Sequence, residues 1–146
     1  MNINNNDFIK KSNVVSKQYV FNYKDIEKVI IDFSSTIKRN NLTPKGLYFY
    51  SIYNLPLDEN IVSEFYMEVE EKIICELEDL KYQSYFSIDN MISTCVYGDF
   101  YKNTEEAYYS LIKYIEENKL IQLTPIFNVI SGDRDLQYTY IKVGVK

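Results

Sequence analysis

Tyrosine and glutamate alternate with apolar residues in the segment IVSEFYMEVEE (61–71). Successive side chains of a strand point to opposite faces, so Phe65, Met67 and Val69 should form one apolar face. The opposite face would then carry Glu64, Tyr66, Glu68 and Glu70. Tyrosine offers a flat apolar face with a hydroxyl at its tip, which suits partly wet cavities and interfaces. This face therefore predicts a binding surface for an organic molecule, although an ordinary solvated sheet face is the alternative and is favoured for Glu70, near the strand end.

The segment LQYTYIKVGV (136–145) shows the same alternation. Ile141, Val143 and Val145 continue an apolar face, which places Tyr138 and Tyr140 on the other. The chain has 15 Tyr and 8 Phe. A general bias toward Asn, Ile, Lys and Tyr explains that number equally well, so the positions of the tyrosines carry more information than their count.

Several kinds of catalysis are excluded by composition, because the chain has no histidine. Catalytic triads, Cys-His pairs and histidine-based metal sites all require it. Cys75 and Cys95 lack metal-ligand spacing and are predicted to be buried free thiols, so we expect no metal site and no cofactor. Glu64 and Glu68 would lie about 13 Å apart along a strand, too far for a carboxylate pair. We therefore predict a protein that is not an enzyme.

The charge and the hydropathy pattern limit the partners. The formal net charge is -5 and no Lys/Arg cluster is present, which argues against direct nucleic-acid binding. No apolar run approaches the roughly 18 residues of a membrane span, and the N-terminal residues MNINNNDFIKK lack the apolar part of a signal peptide. The expectation is a cytoplasmic protein with one domain, residues 1–146, that is a monomer or a weak dimer.

Two segments of equal length predict amphipathic helices, DIEKVIIDFSSTIKRNNL (25–42) and NTEEAYYSLIKYIEENKL (103–120). Asp25 and Asn103 stand at the expected N-caps, 78 residues apart, and Glu106 would complete a capping box with Asn103. The same offset relates the apolar stripes. The first stripe is Ile26, Val29, Ile30, Phe33 and Ile37, and the second is Ala107, Tyr108, Leu111 and Ile115. Tyr108 is therefore expected in the core, because its counterpart is Ile30.

Strand-like segments flank both helices in the same order. NVVSKQYVFNY (13–23) and MISTCVYGDFY (91–101) precede them, and GLYFYSIYN (46–54) and IFNVIS (126–131) follow. The segments 61–71 and 136–145 close the halves, which span about 12–75 and 83–146. The predicted fold is α+β, with tandem duplicated β-α-β-β units forming one curved antiparallel sheet. The two main helices would cover one face, and a groove would form on the other.

The second half resembles the GyrI-like (gyrase-inhibitor-like) effector-binding domains. The resemblance rests on VYGDFYKNTEEAYYSLIKYIEEN (96–118), a Pro-containing loop, and the final strand YIKVGV (140–145). The sequence Tyr97-Gly98-Asp99-Phe100 occupies the place of the family's His-Gly-Pro/Ser-Tyr-like turn. Ala107-Tyr108 matches the family's second helix. The specific motifs lie within residues 94–145, whereas the strand and helix pattern covers nearly the whole chain.

The resemblance implies an aromatic pocket between the halves that holds an organic cation over tyrosines and near a buried Glu. This sequence has Asn128 where the family usually has that Glu. Glu64 or Glu68 could supply the charge instead, the ligand could be neutral, or the pocket could be lost. These alternatives stay open at the level of sequence.

The leading hypothesis is a stand-alone, non-enzymatic module that binds a lipophilic, aromatic or cationic small molecule. The predicted ligand-binding residues are Tyr48, Tyr50, Glu64, Tyr66, Glu68, Tyr97, Asn128, Tyr138 and Tyr140. The alternative is an inhibitor or accessory protein that acts on a partner protein. The acidic, amphipathic segment VEEKIICELEDL (69–80) would serve that role, although a plain connector between the halves is the simpler interpretation.

Overall fold

A computed structural model describes residues 2–54, 59–98, 100–133 and 135–146. Within them the chain is α+β, with antiparallel strands and two helices, as predicted. The elements are β1 (Asn4–Asn22), α1 (Ile26–Arg39), β2 (Phe49–Ile52), β3 (Asn60–Glu68), β4 (Lys81–Val96), α2 (Phe100–Glu117), β5 (Gln122–Gly132) and β6 (Gln137–Val145). Asp99, in the predicted turn before α2, lies outside the described residues, as do 55–58 and 134 in the turns predicted between strands.

The chain forms two compact units. The N-terminal unit is Lys10–Ser87, and the C-terminal unit combines residues 1–9 with Ile88–Lys146. The divisions fall inside β1 and β4, whereas the sequence suggested halves of about 12–75 and 83–146. The single domain 1–146 stays a prediction.

In the N-terminal unit, β3 pairs antiparallel with β1, from Val14 opposite Glu68 to Asn22 opposite Asn60. It also pairs with β2, from Phe49 opposite Tyr66 to Ile52 opposite Ser63. The predicted apolar stripe packs α1 onto these strands. Its buried members are Ile26, Val29, Phe33 and Ile37, while Ile30 is half-exposed.

In the C-terminal unit, β6 pairs antiparallel with β4 and β5. The register with β5 shifts between Gln122 and Ile126, because the Thr124-Pro125 sequence predicted as a loop lies inside the strand. Ala107, Tyr108 and Leu111 of α2 are completely buried. Tyr108 is therefore a core residue, as predicted.

The predicted capping box at Asn103 is wrong. Helix α2 begins at Phe100, so Asn103 lies within its first turn. The Asn103 side-chain amide donates to the Tyr97 carbonyl oxygen, 2.5 Å away, outside the helix. Gly98, with φ +73°, reverses the chain early enough for the helix to start three residues sooner. Asp25 does occupy the N-cap position of α1, but its side chain makes no capping hydrogen bond.

The helix C-termini share one stop motif. Asn41 and Lys119 have left-handed backbones, with φ of 57° and 55°. The next residues, Leu42 and Leu120, donate their N–H to the carbonyl five residues earlier, at 3.3 and 2.9 Å. This is the Schellman pattern, which satisfies carbonyls at the end of a helix. Lys119 lies 78 positions after Asn41, and Leu120 lies 78 positions after Leu42. The same offset relates the two helix sequences.

Two further features recur at nearly the same offset. The Asn40 and Asn118 side-chain amides each donate to the carbonyl four residues earlier, at 2.8 and 2.9 Å. Asn13 in β1 and Asn90 in β4 both have positive φ, 54° and 56°. In each strand a fully buried run begins at the next residue.

Strands β1 and β4 begin about ten residues earlier than predicted. The first half of about 12–75 predicted from the sequence therefore misses the first residues of β1. The polar N-terminal residues are ordered by partners in the C-terminal unit. The Asn2 carbonyl accepts from Thr94 Oγ1 at 2.9 Å, and Asp7 bonds Ser93 and Lys142. Such pairing leaves no hydrophobic periodicity in the sequence.

Candidate functional site

Tyr50, predicted to line the ligand pocket, belongs to the core of the N-terminal unit. It is 0% exposed and stacks on Phe65 with ring centroids 4.8 Å apart. Phe65 in turn contacts Phe33 of α1, so both rings face the helix. The Tyr50 hydroxyl lies 2.9 Å from the Tyr23 hydroxyl. The predicted orientation of Tyr50 was wrong because β2 is buried on both faces, which removes the alternation that would have distinguished them.

Tyr48 lies on the same side. Its ring stacks on Tyr50 and Phe65, with centroids 6.3 and 6.0 Å apart, and burial raises its pKa. We therefore assign Tyr48 to the aromatic stack under α1.

Asn128, at the position where a GyrI-like domain would have Glu, also faces a helix. It lies in β5 opposite Ile141, is 0% exposed, and its Oδ1 accepts from the Tyr108 hydroxyl at 2.9 Å. Its Nδ2 has no hydrogen-bond partner among the described residues. The structure thus corrects the predicted orientation of Asn128, because the register of β5 on β6 turns it toward α2.

The other predicted residues of the N-terminal unit, Glu64, Tyr66 and Glu68, lie on the sheet face opposite α1. Tyr66 stacks on Phe49 at 4.8 Å with nearly parallel rings, and Phe86 meets it edge-on at 5.0 Å. The sequence analysis missed Phe49 and Phe86. Alternation puts Phe49 on the face opposite Tyr48 and Tyr50, but because β2 is buried on both faces the sequence does not show which of these faces α1 covers.

The two carboxylates on this face differ in their contacts. Glu68 Oε2 accepts a hydrogen bond from the Ser12 backbone N–H at 2.9 Å, so it helps to hold β1. Glu64 is half-exposed and lies close enough to Tyr66 to raise the pKa of that phenol, after burial, which is the larger cause. Glu64 is therefore the better placed of the two to meet a cation.

The remaining predicted residues form a group in the C-terminal unit. Tyr140 lies next to Ile141, which faces α2 with Asn128, so Tyr140 and Tyr138 point away from the helix. Tyr138 has ring contacts with Tyr97 at 5.7 Å and with Tyr140 at 5.6 Å. Tyr97 is 57% exposed, and the other two are half-buried. We call Tyr97, Tyr138 and Tyr140 the tyrosine surface.

Cys95 lies opposite Tyr140 and within the tyrosine surface. The Cys95 side chain hydrogen-bonds with Tyr97. This bond is the main reason why the pKa of Tyr97 is raised. A cavity of about 250 Å³ adjoins it, lined by residues 2–4, residues 93–95 and Tyr140. The sequence predicted Cys95 to be buried, but it is half-exposed, and Cys75 is exposed.

An ion pair borders the tyrosine surface. Lys142 Nζ lies 3.0 Å from Asp7 Oδ1 and 5.5 Å from the centre of the Tyr140 ring. The Ser93 hydroxyl donates to Asp7 Oδ2 at 2.6 Å. Burial acts to raise the pKa of Asp7, but its bonds with Ser93, Phe8 and Lys142 outweigh it and lower the pKa below its usual value. The local charge is therefore balanced, and one ammonium group already lies over a tyrosine ring.

The described residues include no group of three potential metal ligands of the His, Cys, Asp or Glu type. Neither helix, over its described part, is long and apolar enough to cross a membrane.

The fold is similar to that of several solved structures. The crystal structure of the EcmrR C-terminal domain matches with a TM-score of 0.73 and 16% identity, covering 97% of this chain and 98% of that one. EcmrR in the EcmrR–DNA complex matches with a TM-score of 0.74 and 18% identity, and this chain spans 58% of it. A hydrolase from Listeria innocua matches with a TM-score of 0.55 and 8% identity, covering 97% and 91% of the two chains. At these identities the similarity shows the fold alone.

No curated protein matches the sequence. Residues 10–146, nearly the whole chain, match the family described as "Domain of unknown function (DUF5085)". The chain therefore belongs to the DUF5085 family.

Proposed function

We propose that this chain is a non-enzymatic module that binds a flat aromatic or lipophilic small molecule, and that the tyrosine surface contributes to its site. The observation that carries the proposal is the group of three partly exposed tyrosine rings beside a cavity, on the face that α2 does not cover. Tyrosine offers an apolar face and a hydroxyl at its tip, which suits a partly wet binding site.

The similarity to the EcmrR C-terminal domain over 97% of this chain supports the proposal. It agrees with the GyrI-like resemblance, since that family's domains bind effectors. EcmrR was solved on DNA, and this chain spans 58% of it. A regulatory role, in which the module acts with a DNA-binding segment, is consistent with that comparison.

The charge of the ligand follows from the acidic groups. Asp7 is paired with Lys142, so it offers little net charge to a ligand on the tyrosine surface. Glu68 is bound to the backbone of β1. Glu64 belongs to the N-terminal unit, whereas the tyrosine surface belongs to the C-terminal unit, so we assign no charge at the tyrosine surface to Glu64 and propose a neutral ligand there.

Thermal unfolding with two matched ligands tests the proposal. N-methylacridinium and acridine have nearly the same shape, but at pH 7.5 only the first is charged. A ligand present at 100 times its dissociation constant should stabilise the protein by about 2.7 kcal/mol. We expect Tyr97→Ala to weaken binding by about tenfold, the effect of roughly 1.4 kcal/mol of lost ring contact.

Tyr109→Ala is the matched control, because Tyr109 is 54% exposed on α2. Acridine should bind at least as tightly as the acridinium, because the tyrosine surface offers little net charge to a cation. The proposal fails if neither ligand stabilises the protein, or if the two tyrosine variants bind equally well.

We also infer that the two helix–strand patterns arose by internal duplication. The support is the shared stop motif at Asn41 and Lys119, since chance similarity of amphipathic helices does not require the same left-handed residue at the same offset. Profile comparison of residues 12–75 with 83–146 across the family would test this. Alignments no better than those of shuffled sequences would argue against it.

A further inference from the structure

The segment between β3 and β4, residues 70–80, is irregular but fastened at both ends. We call it the connector. The Glu71 carboxylate accepts from the Thr43 backbone N–H at 2.8 Å, and the Glu70 N–H donates to the Thr43 carbonyl oxygen at 3.0 Å. Farther along, the Asn40 side chain both accepts from and donates to the backbone of Glu78, at 2.9 Å each. The connector is thus held against the end of α1.

Between these anchors the connector presents apolar side chains. Ile74 is 98% exposed, and Cys75 beside it is also exposed. A cavity of about 590 Å³ lies along the connector, lined mainly by Ile73, Ile74, Leu77, Leu80 and Tyr82. Polar atoms also contribute to the exposed lining, but four apolar side chains of the connector, Ile73, Ile74, Leu77 and Leu80, share this one depression, and such grouping is typical of an interaction site.

The connector and the lysine that follows it are acidic overall, and Glu76 lines the depression. Residues 70–81 contain five carboxylates and two lysines. Glu71 is bound to Thr43, and Asp79 lies 3.7 Å from Arg39. The other three, Glu70, Glu76 and Glu78, are exposed. Apolar side chains in the same segment as exposed carboxylates complement a partner segment in which large apolar side chains are flanked by positive charges.

We propose that the connector is a docking surface for a partner protein, and that it binds a short amphipathic segment rich in leucine-like and lysine or arginine residues. A second copy of this chain fits less well, because two chains that each carry a net charge of -5 repel one another. This surface shares no residue with the tyrosine surface, so it is independent of the small-molecule proposal.

The test uses the full chain and two labelled synthetic helical peptides, one of leucine and lysine and one with glutamate in place of every lysine. Fluorescence anisotropy should show the leucine–lysine peptide binding at least about tenfold more tightly, with affinity falling as salt rises. Ile74→Asp should weaken that binding by about tenfold or more, as expected at the centre of an interface. Glu76→Lys should weaken it and reduce its salt dependence.

Ile31→Asp is the matched control, because Ile31 is also a strongly exposed isoleucine, on α1. Circular dichroism establishes that the variants are folded. The proposal is overturned if both peptides bind equally, if Ile31→Asp and Ile74→Asp have the same effect, or if Glu76→Lys changes nothing. Self-association that Ile74→Asp abolishes, without peptide binding, would identify a second copy as the occupant and would also overturn it.

Discussion

Replacing Asn128 by aspartate distinguishes a sealed core position from a ligand-binding one. Asn128 is 0% exposed, and within the described part of the chain its side chain bonds the Tyr108 hydroxyl through Oδ1 while its Nδ2 has no partner. An aspartate there would keep that bond but would bury a carboxylate in the core under α2. Burial of this kind raises a carboxyl pKa by up to about 3–5 units. A rise of about 3 units corresponds to a loss of about 4 kcal/mol of stability at neutral pH.

The pH dependence has a definite sign. Because the folded pKa of the introduced aspartate would lie above its unfolded value of about 3.9, the folded state would bind more protons, and the variant's stability would fall as pH rises through that window. Urea unfolding of wild type and Asn128→Asp, compared at each pH from 4 to 8, measures this. The difference should be largest near pH 7 and should shrink by about 1.4 kcal/mol per unit of acidification.

The control is Asn60→Asp, which makes the same chemical change at an exposed position. It should alter stability by less than about 0.5 kcal/mol. A loss below about 1 kcal/mol in Asn128→Asp, independent of pH, would show that water reaches residue 128. The assignment of Asn128 to the core would then be wrong, and tighter acridinium binding by the same variant would restore it to the ligand site.

Other variants test the fold directly. Lys119→Gly should raise the free energy of unfolding by about 0.5–1 kcal/mol, because the left-handed backbone strains lysine. Asn41→Gly should raise it by less, since asparagine tolerates that conformation. Equal gains for the two variants in urea unfolding would contradict this explanation. Leu111→Ala should lose about 2–5 kcal/mol through the cavity it leaves. Lys142→Met should lose about 1–3 kcal/mol at pH 7. Since the folded pKa of Asp7 is lowered, that deficit should disappear as pH falls below 3.8, and a deficit constant across pH would assign it to packing.

Much of the architecture could be predicted because one face of each element is strongly apolar. The α1 stripe from Ile26 to Ile37 follows a helical period, and only Ile30 departs from full burial. The alternation in β6 placed Ile141 and Val143 in the core and Tyr138 and Tyr140 on the other face, where the structure has them. In such segments periodicity alone determines which side chains share a face.

The wrong predictions have two physical causes. One is burial of both faces of a strand, and the other is pairing of polar groups that are far apart in the sequence. Phe49, Tyr50 and Ser51 are all buried, so no alternation marks which of them faces α1. In the sequence Asp7 belongs to a polar N-terminal segment, yet it forms an ion pair with Lys142, 135 positions later. Contacts of that sequence separation leave no trace in a local pattern.

The correction at Tyr50 and Asn128 also constrains how a ligand can be recognised. These residues are 78 positions apart, both are completely buried, and each bonds a tyrosine hydroxyl at 2.9 Å, Tyr23 in one case and Tyr108 in the other. Tyr50 and Asn128 thus both belong to the core of their unit. A charged ligand could not reach either side chain without breaking its hydrogen bond to the tyrosine hydroxyl. A ligand bound as proposed above would therefore contact the face opposite α2, where Tyr97, Tyr138 and Tyr140 lie in the C-terminal unit. Binding of an aromatic ligand should accordingly depend on Tyr97 and not on residue 128.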